Sequence, residues 1–137
     1  MVAYSTIAVN TAEMGGGLQI EASFDVIATN ALIAGNTATA GADVWGILVS
    51  FDYNLIQNIS AVTITGITTH KLYGQDPQLG ILTNGMRPLL PGSPAIDAGF
   101  CQPSAPVDQR GVIRPQGRGC DIGAYEAIVW RIYLPLA

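Results

Sequence analysis

Apolar positions along this chain come in short runs, Leu18 to Ile20, Phe24 to Ala28, Ile47 to Phe51 and Val62 to Ile67, with Gly, Asn and Asp between them. Some alternate apolar with polar residues and some stay apolar for a few positions, which predicts short β-strands divided by turns. Helix is hard to place. Apolar residues at helical spacing never persist through a window free of Gly, Thr and β-branched residues, which argues against an α/β fold with crossover helices.

The first third also echoes itself. Ile7-Ala8-Val9-Asn10-Thr11-Ala12 matches Ile33-Ala34-Gly35-Asn36-Thr37-Ala38 at an offset of 26 residues, and a weaker copy, Leu55-Ile56-Gln57-Asn58, places its Asn 22 residues after Asn36. Short β-segments recurring at such periods indicate a solenoid, whose turns bury their apolar faces only by stacking. The expected fold is therefore all-β, a right-handed parallel β-helix of a few turns over residues 1–75. Asn10, Asn36 and Asn58 follow apolar pairs where a strand should turn; they read equally as a stacked polar ladder or as isolated turn residues. Residues 76–126 are crowded with Pro and Gly and read as an irregular C-terminal cap over the end of the stack, followed by a tail at 127–137, all within one structural domain. Val2 to Val9 should then present an open strand edge, inviting end-to-end self-association.

Composition narrows the function classes. The 137 residues are 49% hydrophobic and only 12% charged, with a formal net charge of −4. That leaves no electrostatic footprint for nucleic acid or an anionic membrane. The apolar stretch from Ala127 to Ala137, interrupted by Arg131, is too short for a membrane span. Gly15-Gly16-Gly17 lacks the following helix and lysine of a phosphate-binding loop, and no cofactor is expected. Cys101 and Cys120 have no metal-type spacing around them and are expected to form a disulfide, which places the chain in an oxidising compartment, extracellular or at the cell surface. The N-terminal residues carry no signal-peptide pattern, so the chain reads as truncated at its front.

From residue 53 onward a series of motifs appears in order: Tyr53-Asn54-Leu55-Ile56, Asp76-Pro77-Gln78-Leu79-Gly80, Leu90-Pro91-Gly92-Ser93-Pro94-Ala95-Ile96-Asp97-Ala98-Gly99, Asp108-Gln109-Arg110-Gly111, Arg114-Pro115-Gln116-Gly117 and Cys120-Asp121-Ile122-Gly123-Ala124-Tyr125-Glu126. This series resembles bacterial surface proteins built of right-handed parallel β-helix repeats that end in a choice-of-anchor Q domain. The resemblance implies a large exported parent of which this chain is the C-terminal part, and it implies no particular reaction. Asn84-Gly85-Met86-Arg87-Pro88 departs from the family's usual Asn-Gly-Gly-Pro-Thr. The tail Arg131-Ile132-Tyr133-Leu134-Pro135-Leu136 resembles short C-terminal endings of exported proteins from some filamentous bacteria.

No catalytic or metal site is legible. Asp25, Asp43 and Asp52 sit in the strand region at spacings that match no single repeat, and are expected as solvated turn or edge carboxylates rather than as a hydrolase or lyase pair. Asp97, Asp108, Asp121, Glu126, Arg110 and Arg114 form the densest charge cluster. Arg110 is expected to lie between the carboxylates of Asp97, Asp108 and Asp121, where its rigid fork ties loops together. A sugar-acid site around Arg110 and Arg114 is the weaker reading. His70 reads as a surface turn residue, and Trp45 and Tyr53 as packing residues before sugar platforms. The expected function is thus a non-catalytic structural, adhesive or glycan-binding module meeting cell-surface glycans or other surface proteins. The alternative is the C-terminal part of a carbohydrate-active enzyme whose catalytic turns lie upstream.

Overall fold

The computed structural model describes residues 1–128, so from residue 129 on the expected tail lies outside the described residues. Nine strands are present: β1 (Val2–Ala3), β2 (Thr6–Ala8), β3 (Leu18–Gln19), β4 (Val26–Thr29), β5 (Leu32–Ala34), β6 (Val44–Phe51), β7 (Leu55–Ile56), β8 (Val62–Ile67) and β9 (Leu72–Tyr73). They pair in parallel throughout, in a five-stranded sheet ordered β1-β4-β6-β3 with β8 added on β6, and a four-stranded sheet ordered β2-β5-β7-β9. No helix occurs among the described residues.

The chain is all-β as expected, but the right-handed parallel β-helix is corrected: the two sheets curl about one core as a half-barrel. A solenoid needs a repeat of near-constant length, and this chain does not keep one. Thr6 pairs with Leu32, Leu32 with Leu55 and Leu55 with Leu72, so successive offsets shrink from 26 to 23 to 17 residues. β6 also breaks the one-strand-per-turn pattern. Its first residues, Val44 and Trp45, pair with β3 on the side where Leu48 to Ser50 pair with β4. Gly46 sits at that junction with φ +112°, and a Cβ there would lie 2.2 Å from the Ile20 carbonyl oxygen, so only glycine permits the approach. The 26-residue echo is nonetheless a pairing register, since Ile7 lies opposite Ile33 and Thr11 opposite Thr37.

The central core lies between the sheets. Ala28, Leu48, Ile33, Ile56, Val44 and Ile20 are buried in it, with Val2, Ile7, Val62, Ile64 and Tyr73 packed around them. At about 1.5–3 kcal/mol for each large side chain removed from water, these contacts dominate the stability of so short a set of strands. β5 and β7 are buried at every residue, because their alternate side chains, Leu32, Ala34 and Leu55, face a second core shared with Leu89, Ala95 and Ile122. That second core corrects the placement of residues 76–126. Rather than closing the end of the stack, this segment lies on the outer flank of the four-stranded sheet. It touches β2 through Ala124 N–H to Thr6 Oγ1 and reaches Leu72 of β9 at the far side. A parallel sheet buried on both faces reads as unbroken apolar runs, and Leu32-Ile33-Ala34 does so.

Corners between the sheets are tight, and several residues there adopt left-handed backbone: Tyr4, Asn30, Asp52 and Tyr53. Buried amides pin these corners. Asn54 accepts from Ala31 N–H and donates to the Ala28 carbonyl, and Asn30 accepts from Phe100 N–H, which docks the flank segment on the corner.

Candidate functional site

Five features of the described residues bear on function. The first is the expected charge cluster, which the structure divides in two. Arg110 donates from Nε and Nη2 to Asp108 Oδ2 at 2.9 and 2.7 Å, donates to the Glu126 carbonyl oxygen, and lies 3.7 Å over the Tyr125 ring. It contacts neither Asp97 nor Asp121, so its place among three carboxylates is corrected to a place on one. The fully buried pair is Arg114 with Glu126, at 2.8 Å. Arg114 also donates to the carbonyls of Asp121 and Gly123, while Glu126 accepts from Gln116 N–H and Asp121 N–H. Asp121 in turn accepts from Asp97 N–H and Ala127 N–H, and Asp97 from Gly119 N–H. These groups face one another and the backbone, which makes a buckle for the flank segment, with the buried Arg114 Nε left without a partner. Burial pushes the Asp121 carboxyl up to about 6, with the Glu126 and Asp97 charges adding to the push and the N–H donors resisting it. Burial acts upward on Asp108 too, but the N–H of Glu126 and the Arg110 guanidinium hold its carboxyl below the ordinary value.

The disulfide closes the same segment. Cys101 and Cys120 are bonded with Cα atoms 5.2 Å apart, beside the antiparallel bridge of Gly99 with Cys120.

The second feature is a polar ladder. Asn36 Oδ1 accepts from both the N–H and the side-chain amide of Asn10, and Asn36 donates from its own N–H and side chain to Asp43 Oδ1. Asp43 Oδ2 accepts from Asn58 N–H at 2.7 Å, whereas the Asn58 side chain turns to Ser60. The ladder thus runs through Asp43 where a third Asn side chain was one of the expected options. Asp43 is buried, which corrects its expected solvation; N–H donors satisfy it in place of a cation. Asp25 is exposed as expected.

Asp52, also expected in solvent, is buried and forms the third feature. Its two carboxylate oxygens take the N–H and the Nδ1 of His70 at 2.7 and 2.8 Å. Burial acts upward on this carboxyl, yet the hydrogen bonds from His70 and from Tyr53 N–H hold it below the ordinary value. The His70 ring lies flat on Tyr53, 4.4 Å between centroids, and Phe100 follows at 5.6 Å. His70 occupies one face of Tyr53, so Tyr53 packs within a ring stack. No group of three or more potential metal ligands gathers here or elsewhere among the described residues.

The fourth feature is the outer face of the five-stranded sheet. Ile27, Trp45, Ile47, Val49 and Phe51 point outward beside Thr63, Thr65 and Ile67 of β8. Ile47, Phe51 and Ile67 are each more than half exposed. The fifth is a pair of clefts on either side of Arg87, of about 340 and 250 Å³. Sequence reasoning missed Arg87 as a site residue; the only signal was that it falls in the run that departs from the family pattern.

Comparisons with family models, with curated proteins and with solved structures returned no match for this chain.

Proposed function

We propose that this chain is a non-catalytic structural and adhesive module of an exported or cell-surface protein, acting through the outer face of its five-stranded sheet. One observation carries the reading: the four-stranded sheet is sealed under a disulfide-closed flank, while the outward residues of β6 and β8 bear no charge and stay open among the described residues. Parallel sheets are almost always covered on both faces, and an exposed apolar face of this kind marks an interaction surface. The disulfide supports an oxidising compartment. The resemblance of the motif series to choice-of-anchor Q domains is a further reason to propose export. β1 and β2, each paired on one side only, add an open edge at which copies can meet.

The test compares the wild type with Ile47→Asp and Phe51→Asp, by light scattering and by binding to arrayed cell-surface glycans and surface proteins. Binding or self-association that the wild type shows and both variants lose, at unchanged thermal midpoint, supports the reading. Turnover of a polysaccharide by the wild type, or binding indifferent to both substitutions, overturns it.

A further inference from the structure

The two clefts lie on the other side of the molecule, where the flank segment meets β2 and the ends of β5 and β7, and they share Arg87 as a common wall. The other arginines of the flank's charge cluster are each already paired with a carboxylate. Arg110 is held by Asp108, the Glu126 carbonyl and Tyr125, and Arg114 is buried on Glu126. Arg87 differs: among the described residues its single hydrogen bond is Nη1 to the Gly80 carbonyl at 3.2 Å, and no carboxylate lies within ion-pair distance. The rest of its fork is open to the clefts in a chain of net charge −4.

Around that fork the larger cleft gathers neutral polar groups of both kinds. Asn10 donates one side-chain N–H to Asn36, leaving its side-chain oxygen to accept. Thr6 Oγ1 accepts from Ala124 N–H, leaving its hydroxyl proton to donate. Gln109 offers an amide, and Ala8 and Leu82 add apolar surface beside these groups. In the smaller cleft the groups facing Arg87 are Gln57 and Asp76, the second a carboxylate that repels another anion and accepts from hydroxyls.

We propose that this pair of clefts is a binding site for a saccharide bearing one carboxylate, a uronic-acid unit of an acidic glycan. Arg87 takes the carboxylate in its fork. Thr6, Asn10 and Gln109 take ring hydroxyls, Ala8 and Leu82 meet the apolar face of the ring, and the neutral continuation of the glycan passes toward Gln57 and Asp76. A phosphate would meet one guanidinium and no cluster of backbone N–H donors, and an acidic peptide run would place its next carboxylate against Asp76. The volumes suit a short ligand lying across both clefts. The site is separate from the sheet face, so either reading stands without the other.

The experiment is an amide-resolved NMR titration of the full chain with a glucuronate- or galacturonate-containing oligosaccharide, its methyl ester, a neutral glucose oligomer and oligoglutamate. The expected result is saturable shifts at Thr6, Asn10, Arg87 and Gln109 with the acid, and binding weaker by about tenfold or more with the ester, since a charge-assisted hydrogen bond carries that order of discrimination. Arg87→Gln should weaken the acid by the same factor and Arg118→Ala, an exposed cation away from the clefts, should not. Equal binding of acid and ester, shifts confined to other residues, preference for oligoglutamate, or no saturation by tens of millimolar ligand overturns the proposal. The ester comparison uses the wild-type chain and stands even where Arg87→Gln fails to fold.

Discussion

Replacing Glu126 with Ala should remove the one counter-charge of a buried guanidinium. Glu126 is fully buried and Arg114 nearly so, their contact is 2.8 Å, and the carboxylate also accepts from Gln116 N–H at 3.1 Å and Asp121 N–H at 3.0 Å. The substitution strands a buried cation and two buried or half-buried N–H groups at once. Breaking a buried pair from one side costs about 3–5 kcal/mol, and the orphaned donors move the value toward the top of that range. Against a total stability of about 5–15 kcal/mol for a domain, that is a third of the reserve or more. The pair joins residues 114, 116, 121, 123 and 126, so the loss falls on the flank segment and exposes Leu32 and Leu55 of the second core. Urea unfolding at pH 7 with the disulfide intact measures the cost. Arg114→Met with Glu126→Met restores neutrality and should cost less than the sum of the two single changes. A Glu126→Ala loss below about 1 kcal/mol, or strictly additive single and double variants, would refute the view that this pair buckles the flank to the sheet.

The Asp121 carboxyl, raised to about 6, makes stability fall as pH rises. A carboxyl whose folded value lies above its unfolded value of 3.8 contributes fully below that value, and the contribution is lost as pH rises through about 6. The shift of roughly two units corresponds to about 3 kcal/mol, so the stability difference between Asp121→Asn and wild type should move in favour of the variant by that order between pH 4 and pH 7. A pH-independent difference in urea midpoints would contradict it. Asp52 and Asp108, held low, act in the opposite sense and lose their contribution as pH falls below about 4, outside that window. Cys101→Ser with Cys120→Ser opens a cross-link between residues 19 apart in sequence, and should cost about 3 kcal/mol in the chain-entropy account. The loss should appear in the thermal midpoint and in early proteolysis within residues 101–120, and an unchanged midpoint would show that the ion-pair buckle suffices.

Strand content was legible because this chain's apolar runs are short and punctuated. The expected runs beginning at Leu18, Phe24, Ile47 and Val62 overlap β3, β4, β6 and β8, and the echo of Ile7 with Ile33 is a parallel register. What the runs do not encode is the constancy of the turn. The weaker third copy at Leu55 already carried the shortening, since its offset was smaller than the first, and β9 shortens it again. Side chains were less legible than strands. A buried carboxylate without a cation, as at Asp43, depends on N–H groups contributed by residues 36 and 58, whose approach no local spacing announces. Arg110 and Arg114 looked alike in sequence, four residues apart in one loop-rich segment. Burial separates them, because Arg114 alone points beneath the segment toward Glu126.

The unequal treatment of the two sheets has a physical origin in strand length. β2, β5, β7 and β9 are two or three residues long, too short to hold an edge or a face alone, and the flank segment supplies their second core, a disulfide and a buried ion pair. β6 and β8, with eight and six residues and six paired positions between them, need no such cover to stay formed. Gly66 shows how closely they run: a Cβ there would lie 2.4 Å from the Ser50 carbonyl oxygen. The sheet that is rigid by its own ladder is therefore the one left bare, and a surface that holds its shape before it meets a partner loses little ordering entropy on contact. That asymmetry ties the proposed face to the fold: stability is concentrated on the flank, which leaves Trp45, Ile47, Phe51 and Ile67 free of a structural duty toward the flank core.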